Sequence, residues 1–180
     1  MIFTKQAIEG CCLVSRTIPK DARGYFSRLA DVEQFTANGL NAAFVQVSAS
    51  RNYKKGTLRG LHMQCMPSEE EKLVCCVSGQ IFDVCVDLRT NSATYLCYCA
   101  AILSEENGNA FYIPKGCAHG FLSLQDDSRL IYFMTTAYDP NAERGYRWND
   151  PAFSIQWPME PILISDKDGS WPFIEDKKSL

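Results

Sequence analysis

The sequence predicts an all-β chain: a double-sheet jelly roll with short peripheral helices and an irregular C-terminal tail. Three observations carry that expectation. Eight short runs between Ala43 and Thr135 are rich in Val, Ile, Phe, Tyr and Cys, and Gly, Asn or Asp separates most of them. The run Phe82–Leu88 alternates strictly, with Phe82, Val84, Val86 and Leu88 on one face and Asp83, Cys85 and Asp87 on the other. No long helical period interrupts these runs, and many short strands of this kind close most simply as two packed sheets. A chain of 180 residues is one domain by default, so residues 1–180 are expected to share one core.

In chain order, Gly10–Ser15 reads as a first strand, closed by Pro19 and Asp21. Arg23–Leu29 is an extended piece in which charged residues lie between aromatics. Asp31–Asn38 has the marks of a short helix, with Asp31 as N-cap and Asn38-Gly39 as the stop. The strands then follow over Ala43–Ser50, Gly56–Gln64, Lys72–Val77, Gln80–Leu88, Thr94–Leu103, Ala110–Ile113, Gly120–Leu124 and Arg129–Thr135. Beyond Tyr138-Asp139-Pro140 the pattern loosens into a tail punctuated by Pro151, Pro158, Pro161 and Pro172.

Composition excludes several classes of function. An apolar fraction of 46% and a charged fraction of 22% are those of a soluble globular protein. A net charge of −3 with scattered basic residues gives no footprint for nucleic acid. No apolar run approaches the roughly 20 residues of a membrane span. The start, Met1 to Gln6, lacks a signal-peptide apolar block, which points to the cytoplasm. Nine cysteines, an odd number, include Cys75, Cys85, Cys97 and Cys99 inside strand-like runs. They are expected as small buried free thiols rather than a disulfide framework or a metal site.

The chain has two histidines, each in a glycine-bearing segment: in Gly56–Gln64, Gly56 and Gly60 bracket Arg59 and lead into His62, and Gly108–Gly120 holds His119. That cadence resembles the two cupin motifs, whose metal usually takes His-x-His, a Glu, and one more His. Here Gln64 stands at the second position of His-x-His, and Lys72 stands where the Glu is expected. An ammonium group repels a divalent cation, so no catalytic metal is expected. Both histidines could be satisfied core residues. Against that, Arg59, His62, Gln64 and Lys72 would crowd polar groups into one barrel mouth, and burying them without a ligand is costly.

A wider set of residues, in order and at near-constant spacing, covers nearly the whole chain. It comprises Arg23-Gly24-Tyr25-Phe26, Phe44-Val45-Gln46, Gly56–Gln64, Lys72-Leu73-Val74, Phe82–Arg89, Ile113–Phe121, Tyr132, Tyr138, Gly145–Pro151, Trp157-Pro158 and Ser165–Asp168. Together these resemble the dTDP-4-dehydrorhamnose 3,5-epimerase family. The resemblance implies a cupin-type jelly roll and cofactor-free epimerisation beside the C4 ketone of a nucleotide-linked 4-keto-6-deoxyhexose. By position it implies His62 as base, Asp168 as the group that orients its ring, Lys72 near the C4 oxyanion and Tyr132 as acid from the opposite face. Arg59 and Arg23 are implied as diphosphate and substrate contacts, Asp83 and His119 as joint support for the pocket, and Phe26, Gln46 and Tyr138 as further substrate contacts. A homodimer is implied too, with an N-terminal strand crossing to the partner's sheet, for which Cys11–Val14 is the candidate.

The chain departs from the family pattern in its nucleotide-facing set. Arg28 stands where relatives commonly have an acidic residue, and Val47-Ser48 where they have Asp-Asn. Cys75–Ser78 replaces an arginine-bearing run, and Ala137-Tyr138 replaces a tyrosine pair. A guanidinium at position 28 offers donors only, which suits cytosine or guanine acceptors better than the thymine N3–H. CDP or GDP substrates therefore stand beside dTDP. Epimerisation at C3 alone or C5 alone, 3,4-ketoisomerisation, and a non-catalytic sugar-binding jelly roll are the remaining alternatives.

Overall fold

The computed structural model describes residues 1–174, so the last six residues of the expected tail lie outside the described residues. The first sheet holds six strands: β1 (Ile2–Lys5), β2 (Cys12–Ser15), β5 (Gln46–Asn52), β7 (Lys72–Ser78), β10 (Asn109–Ile113) and β12 (Ser128–Met134), in spatial order β1-β2-β10-β7-β12-β5. Facing it is a second sheet of β6 (Thr57–Gln64), β8 (Gln80–Asp87), β9 (Tyr98–Ser104), β11 (Cys117–Ser123) and β13 (Glu143–Gly145), in order β13-β6-β11-β8-β9. The short strand β14 (Leu163–Ile164) adds to β6 in parallel. A small hairpin, β3 (Lys20–Asp21) with β4 (Gly24–Tyr25), stands apart from both sheets. The helices are α1 (Val32–Ala37) and α2 (Asp166–Ser170).

Most elements lie where the sequence placed them. The α1 helix is capped as expected, its Asp31 side chain accepting from the Gln34 amide. Three differences have local causes. The strand expected from Thr94 begins at Tyr98, because the Asp87 carboxylate accepts hydrogen bonds from Arg89, Ser92 and Thr94 and folds the preceding segment into a turn. That leaves Cys97 exposed and outside any strand, against the expectation that it would pack inside. The strand expected at Gly120 begins at Cys117, as β11 pairs with β8 from Cys117 onward. The crossing-strand candidate Cys11–Val14 pairs on both sides within the chain as part of β2, and the edge of that sheet belongs to β1.

Between the sheets lies a core of Ile8, Val74, Cys76, Ile81, Cys85, Leu103, Phe111, Phe121 and Leu130, among others. A second cluster closes the outer face of the second sheet, where Phe153, Ile174, Trp157 and Tyr146 cover Leu61, Val84 and Val86. The loosely patterned tail is therefore a lid over apolar surface, and both faces of the alternating strand β8 are buried. A third cluster packs α1 against the first sheet through Phe35, with Phe3, Phe44 and Tyr112 around it.

Gly60 and Gly120 set the depth of the mouth between the sheets. A Cβ on Gly60, at φ +107°, would stand 2.6 Å from the Gly120 Cα and 2.6 Å from the His119 carbonyl oxygen. No side chain fits there. The close approach coincides with the register shift between His119 and Phe121, which breaks the regular pairing of β6 and β11 beside both histidines.

Candidate active site

A cavity of about 340 Å³ opens between the sheets, with walls from both. The second sheet supplies His62 and Arg59 from β6, His119 from β11 and Glu143 from β13. The first supplies Lys72 from β7, Tyr132 from β12, and Gln46 and Ser50 from β5. Asp168 reaches in from α2, and Tyr138 from the loop after β12.

His62 Nε2 lies 2.6 Å from Asp168 Oδ1, and the second carboxylate oxygen accepts from the Gly60 amide at 3.4 Å. Ser165 caps α2 through the Asp168 amide, which fixes the carboxylate's position in the first turn. Burial pushes the Asp168 carboxyl up, but the hydrogen bond and charge of His62 outweigh it and hold the group below its usual range. With Nε2–H donating to the carboxylate, the other imidazole nitrogen keeps its lone pair. The Trp171 ring meets the His62 ring edge-on at 6.2 Å and leaves no room for a side chain at Gly145.

Across the cavity, the Tyr132 hydroxyl sits 2.9 Å from Ser50 Oγ, and burial pushes its pKa well above the ordinary phenol value. Behind it, His119 Nε2 lies 2.8 Å from Asp83 Oδ1. Asp83 is fully buried, and desolvation raises its pKa even with His119 beside it. Among the described residues its Oδ2 has no hydrogen-bond partner, and the charges of His119 and Lys72 favour its ionised form against that burial. The His119 and Tyr132 rings meet at 6.3 Å, nearly perpendicular. Lys72 Nζ contacts Glu70 Oε1 at 2.8 Å with both side chains nearly buried. Arg59 is held by a hydrogen bond from its Nε to the buried Asn52 side chain.

Of the residues expected from the sequence, His62, Asp168, Tyr132, Lys72, Gln46, Arg59, His119 and Tyr138 line this cavity, and Asp83 lies directly behind it. Arg23, Phe26 and Arg28 do not. Arg23 pairs with its neighbour Asp21 on the β3–β4 hairpin, and Phe26 is 84% exposed. Arg28 bonds Asp31 at the start of α1, so its guanidinium is engaged three residues away rather than at the cavity. Gln64 is no ligand. It is buried, its amide nitrogen donates to the Ser68 and Ala137 carbonyls, and its oxygen accepts from the Asp139 amide. Glu70, Glu143 and Ser50 line the cavity unforeseen. Glu143 grips Lys167 at 2.7 Å and accepts from the Tyr138 hydroxyl at 2.8 Å. Only the Glu69-Glu70-Glu71 run beside Lys72 hinted at any of the three.

Comparison with known proteins decides the family. A family model described as dTDP-4-dehydrorhamnose 3,5-epimerase matches residues 5–176. The chain belongs to the dTDP-4-dehydrorhamnose 3,5-epimerase family. It is accordingly an isomerase of the epimerase class. A dTDP-4-dehydrorhamnose 3,5-epimerase of Methanothermobacter thermautotrophicus is 41% identical over 172 residues, spanning 94% of this chain and 92% of that protein. Among solved structures, the dTDP-6-deoxy-D-glucose-3,5-epimerase of Legionella pneumophila, in complex with dTDP-4-keto-L-rhamnose, superposes with a TM-score of 0.91. It is 35% identical and covers 97% of this chain and 93% of its own. A 3'-monoepimerase of Streptomyces bikiniensis in complex with dTDP-quinovose matches at TM-score 0.89 and 32% identity, covering 97% of this chain and 88% of its own. Epimerases of this fold are thus known with different counts of inverted carbons.

Proposed function

We propose that this cavity epimerises C3 and C5 of a dTDP-linked 4-keto-6-deoxyhexose through enolate intermediates, using protein side chains alone. The observation that carries the reading is the placement of a His–Asp pair and a tyrosine hydroxyl on opposite walls of one cavity, with the Lys72 ammonium lining it on the tyrosine's side. Proton abstraction from a carbon beside a ketone is uphill by roughly 16 kcal/mol for imidazole alone, on the order of a dozen pK units. A base is therefore insufficient, and the oxyanion needs stabilisation as it forms.

His62 takes the proton on its free nitrogen while Asp168 holds the ring and stabilises the imidazolium. Lys72 supplies positive charge for the C4 oxygen, and Glu70 fixes where that ammonium sits. Tyr132 delivers a proton from the other sheet, which means the opposite face of the sugar, and inversion follows from that opposition. Its raised pKa keeps the phenol protonated and ready to donate. Arg59, at the exposed end of the cavity, suits a diphosphate. The family description and the relatives solved with dTDP-linked ligands support dTDP as the nucleotide, and dTDP is the one we propose.

The active form we propose is a cytoplasmic homodimer of single jelly-roll units. Family resemblance makes Arg23 and Phe26 substrate contacts, whereas the fold leaves them on an exposed hairpin away from their own cavity. Both hold if the hairpin serves the cavity of a second copy. No helix among the described residues is long and apolar enough to cross a membrane. The reading is tested by incubating EDTA-treated enzyme with dTDP-4-keto-6-deoxy-D-glucose and following the sugar by NMR. Conversion to the doubly inverted 4-keto sugar is expected. An unchanged sugar, or activity restored only by one added metal, overturns it.

A further inference from the structure

The interior face of the second sheet carries one continuous cross-strand row. His62 stands opposite His119, His119 opposite Cys85, and Cys85 opposite Cys99. Opposed residues in antiparallel ladders project to the same face, so the row leads from the proposed base to a pair of thiols. A third thiol arrives from the facing sheet: Cys11, in the turn before β2, places its Sγ 3.5 Å from that of Cys99. The Sγ atoms of Cys11, Cys85 and Cys99 all lie within 4.8 Å of one another. Among the described residues this is the one group of three metal-ligating side chains so arranged.

Filling the core does not require such convergence. Cys12 and Cys75 fill apolar space singly, in a different cluster, as small hydrophobes do. We propose that Cys11, Cys85 and Cys99 form a three-thiolate site for a soft, thiophilic d10 cation, copper(I) above all, separate from the proposed catalytic cavity. Three sulfurs about 2.3 Å from a central ion in one plane are about 4.0 Å apart. That lies between the 3.5 Å of Cys11–Cys99 and the 4.8 Å limit of the group. Thiolates select soft ions, and closed zinc sites take a fourth protein ligand, so three sulfurs favour copper(I) over zinc.

The surroundings suit a bound ion. The Arg89 guanidinium, anchored on Asp87, lies close enough to Cys85 to offset part of the charge that three thiolate ligands would bring. Cys99 is only partly buried, which gives an ion its entry. Each thiol that becomes a ligand releases its proton to solvent, and the sulfurs keep their oxidation state.

The test is anaerobic titration of the reduced, full-length protein with copper(I) against a chromophoric copper(I) chelator. One tightly held ion per chain is expected, with proton release on binding. Losing an outer-shell partner typically costs a metal site 10–100-fold, so Cys11→Ser and Cys99→Ser should each weaken binding by about a hundredfold or more. Cys97→Ser and His62→Asn should bind as the wild type does. Titration of the wild type with cadmium(II), read by its ultraviolet thiolate charge-transfer band, gives the same stoichiometry without any variant. The proposal is overturned if the wild type holds no stoichiometric ion, or if both serine variants hold it unchanged. Recovery of Cys11 and Cys99 as a disulfide from anaerobically lysed cells also overturns it.

Discussion

His62 and Tyr132 face each other from different sheets, and their separate roles predict different failures. His62→Asn should lower both proton exchange and product formation by about 10²–10⁴-fold, the range of general base catalysis. Nucleotide binding measured by calorimetry should stay within a few-fold. Tyr132→Phe keeps the base, so exchange from the His62 face should persist while inversion fails; inversion at the wild-type rate would place the acid elsewhere. Glu70→Gln removes the charge beside Lys72 and leaves a hydrogen-bonding side chain of the same shape. Its expected signature is a fall in kcat with KM little changed, since the ammonium serves the oxyanion rather than the ground state. At this scale the sequence was informative about two members of the proposed set because they sit in local motifs, His62 just after Gly56-Thr57-Leu58-Arg59-Gly60 and Asp168 in Ser-Asp-Lys-Asp, whereas Tyr132 was marked only by the resemblance. Glu143 and Ser50 were not legible, because they reach the cavity through a three-residue strand and through register with Tyr132, and neither leaves a local pattern.

Among the elements, β8 and the turn that follows it carry the clearest stability prediction. Burial pushes Asp87 up, but hydrogen bonds from Arg89, Ser92 and Thr94 overcome it and hold the carboxyl well below its usual range. A depressed folded-state pKa gives stability that is present above the unfolded value, near 3.9, and lost as pH falls through the folded one. Asp87→Asn should therefore cost about 2–3 kcal/mol at neutral pH in urea unfolding, since bonds to an ionised group are the stronger kind. The deficit should shrink below about pH 4, where the unfolded chain's carboxyl takes up its proton while the folded one still resists. A pH-independent deficit would assign the effect to packing instead. The same turn explains why β9 starts late and why Cys97 is exposed. Alternation locates strands, whereas a side chain that collects distant donors redirects the backbone without any periodic signal. Strands β1 and β13 were missed for a related reason: four- and three-residue pieces at an edge are too short for a period to show.

For the molecule as a whole, the two-sheet architecture was legible from many short strands and their turns. The function of the tail was not. Its apolar residues are spaced by prolines rather than by a period, and only the fold shows them covering Leu61, Val84 and Val86. Arg23 and Phe26 belong to this scale too, because within one chain they line the surface of their own hairpin and not the cavity between the sheets. If the hairpin serves a second copy, mixing Arg23→Ala with His62→Asn protein should restore part of the activity that each lacks, through mixed dimers holding one intact cavity. No recovery after demonstrated subunit exchange would confine each site to its own chain. The central claim is two-sided proton transfer in the cavity between the sheets. It is tested most directly by deuterium uptake from D2O into dTDP-4-keto-6-deoxy-D-glucose, read at C3 and C5 by NMR. The wild type should label both carbons and invert them, Tyr132→Phe should label without inverting, and His62→Asn should do neither. Inversion without solvent label in the wild type, or undiminished labelling by His62→Asn, would contradict it.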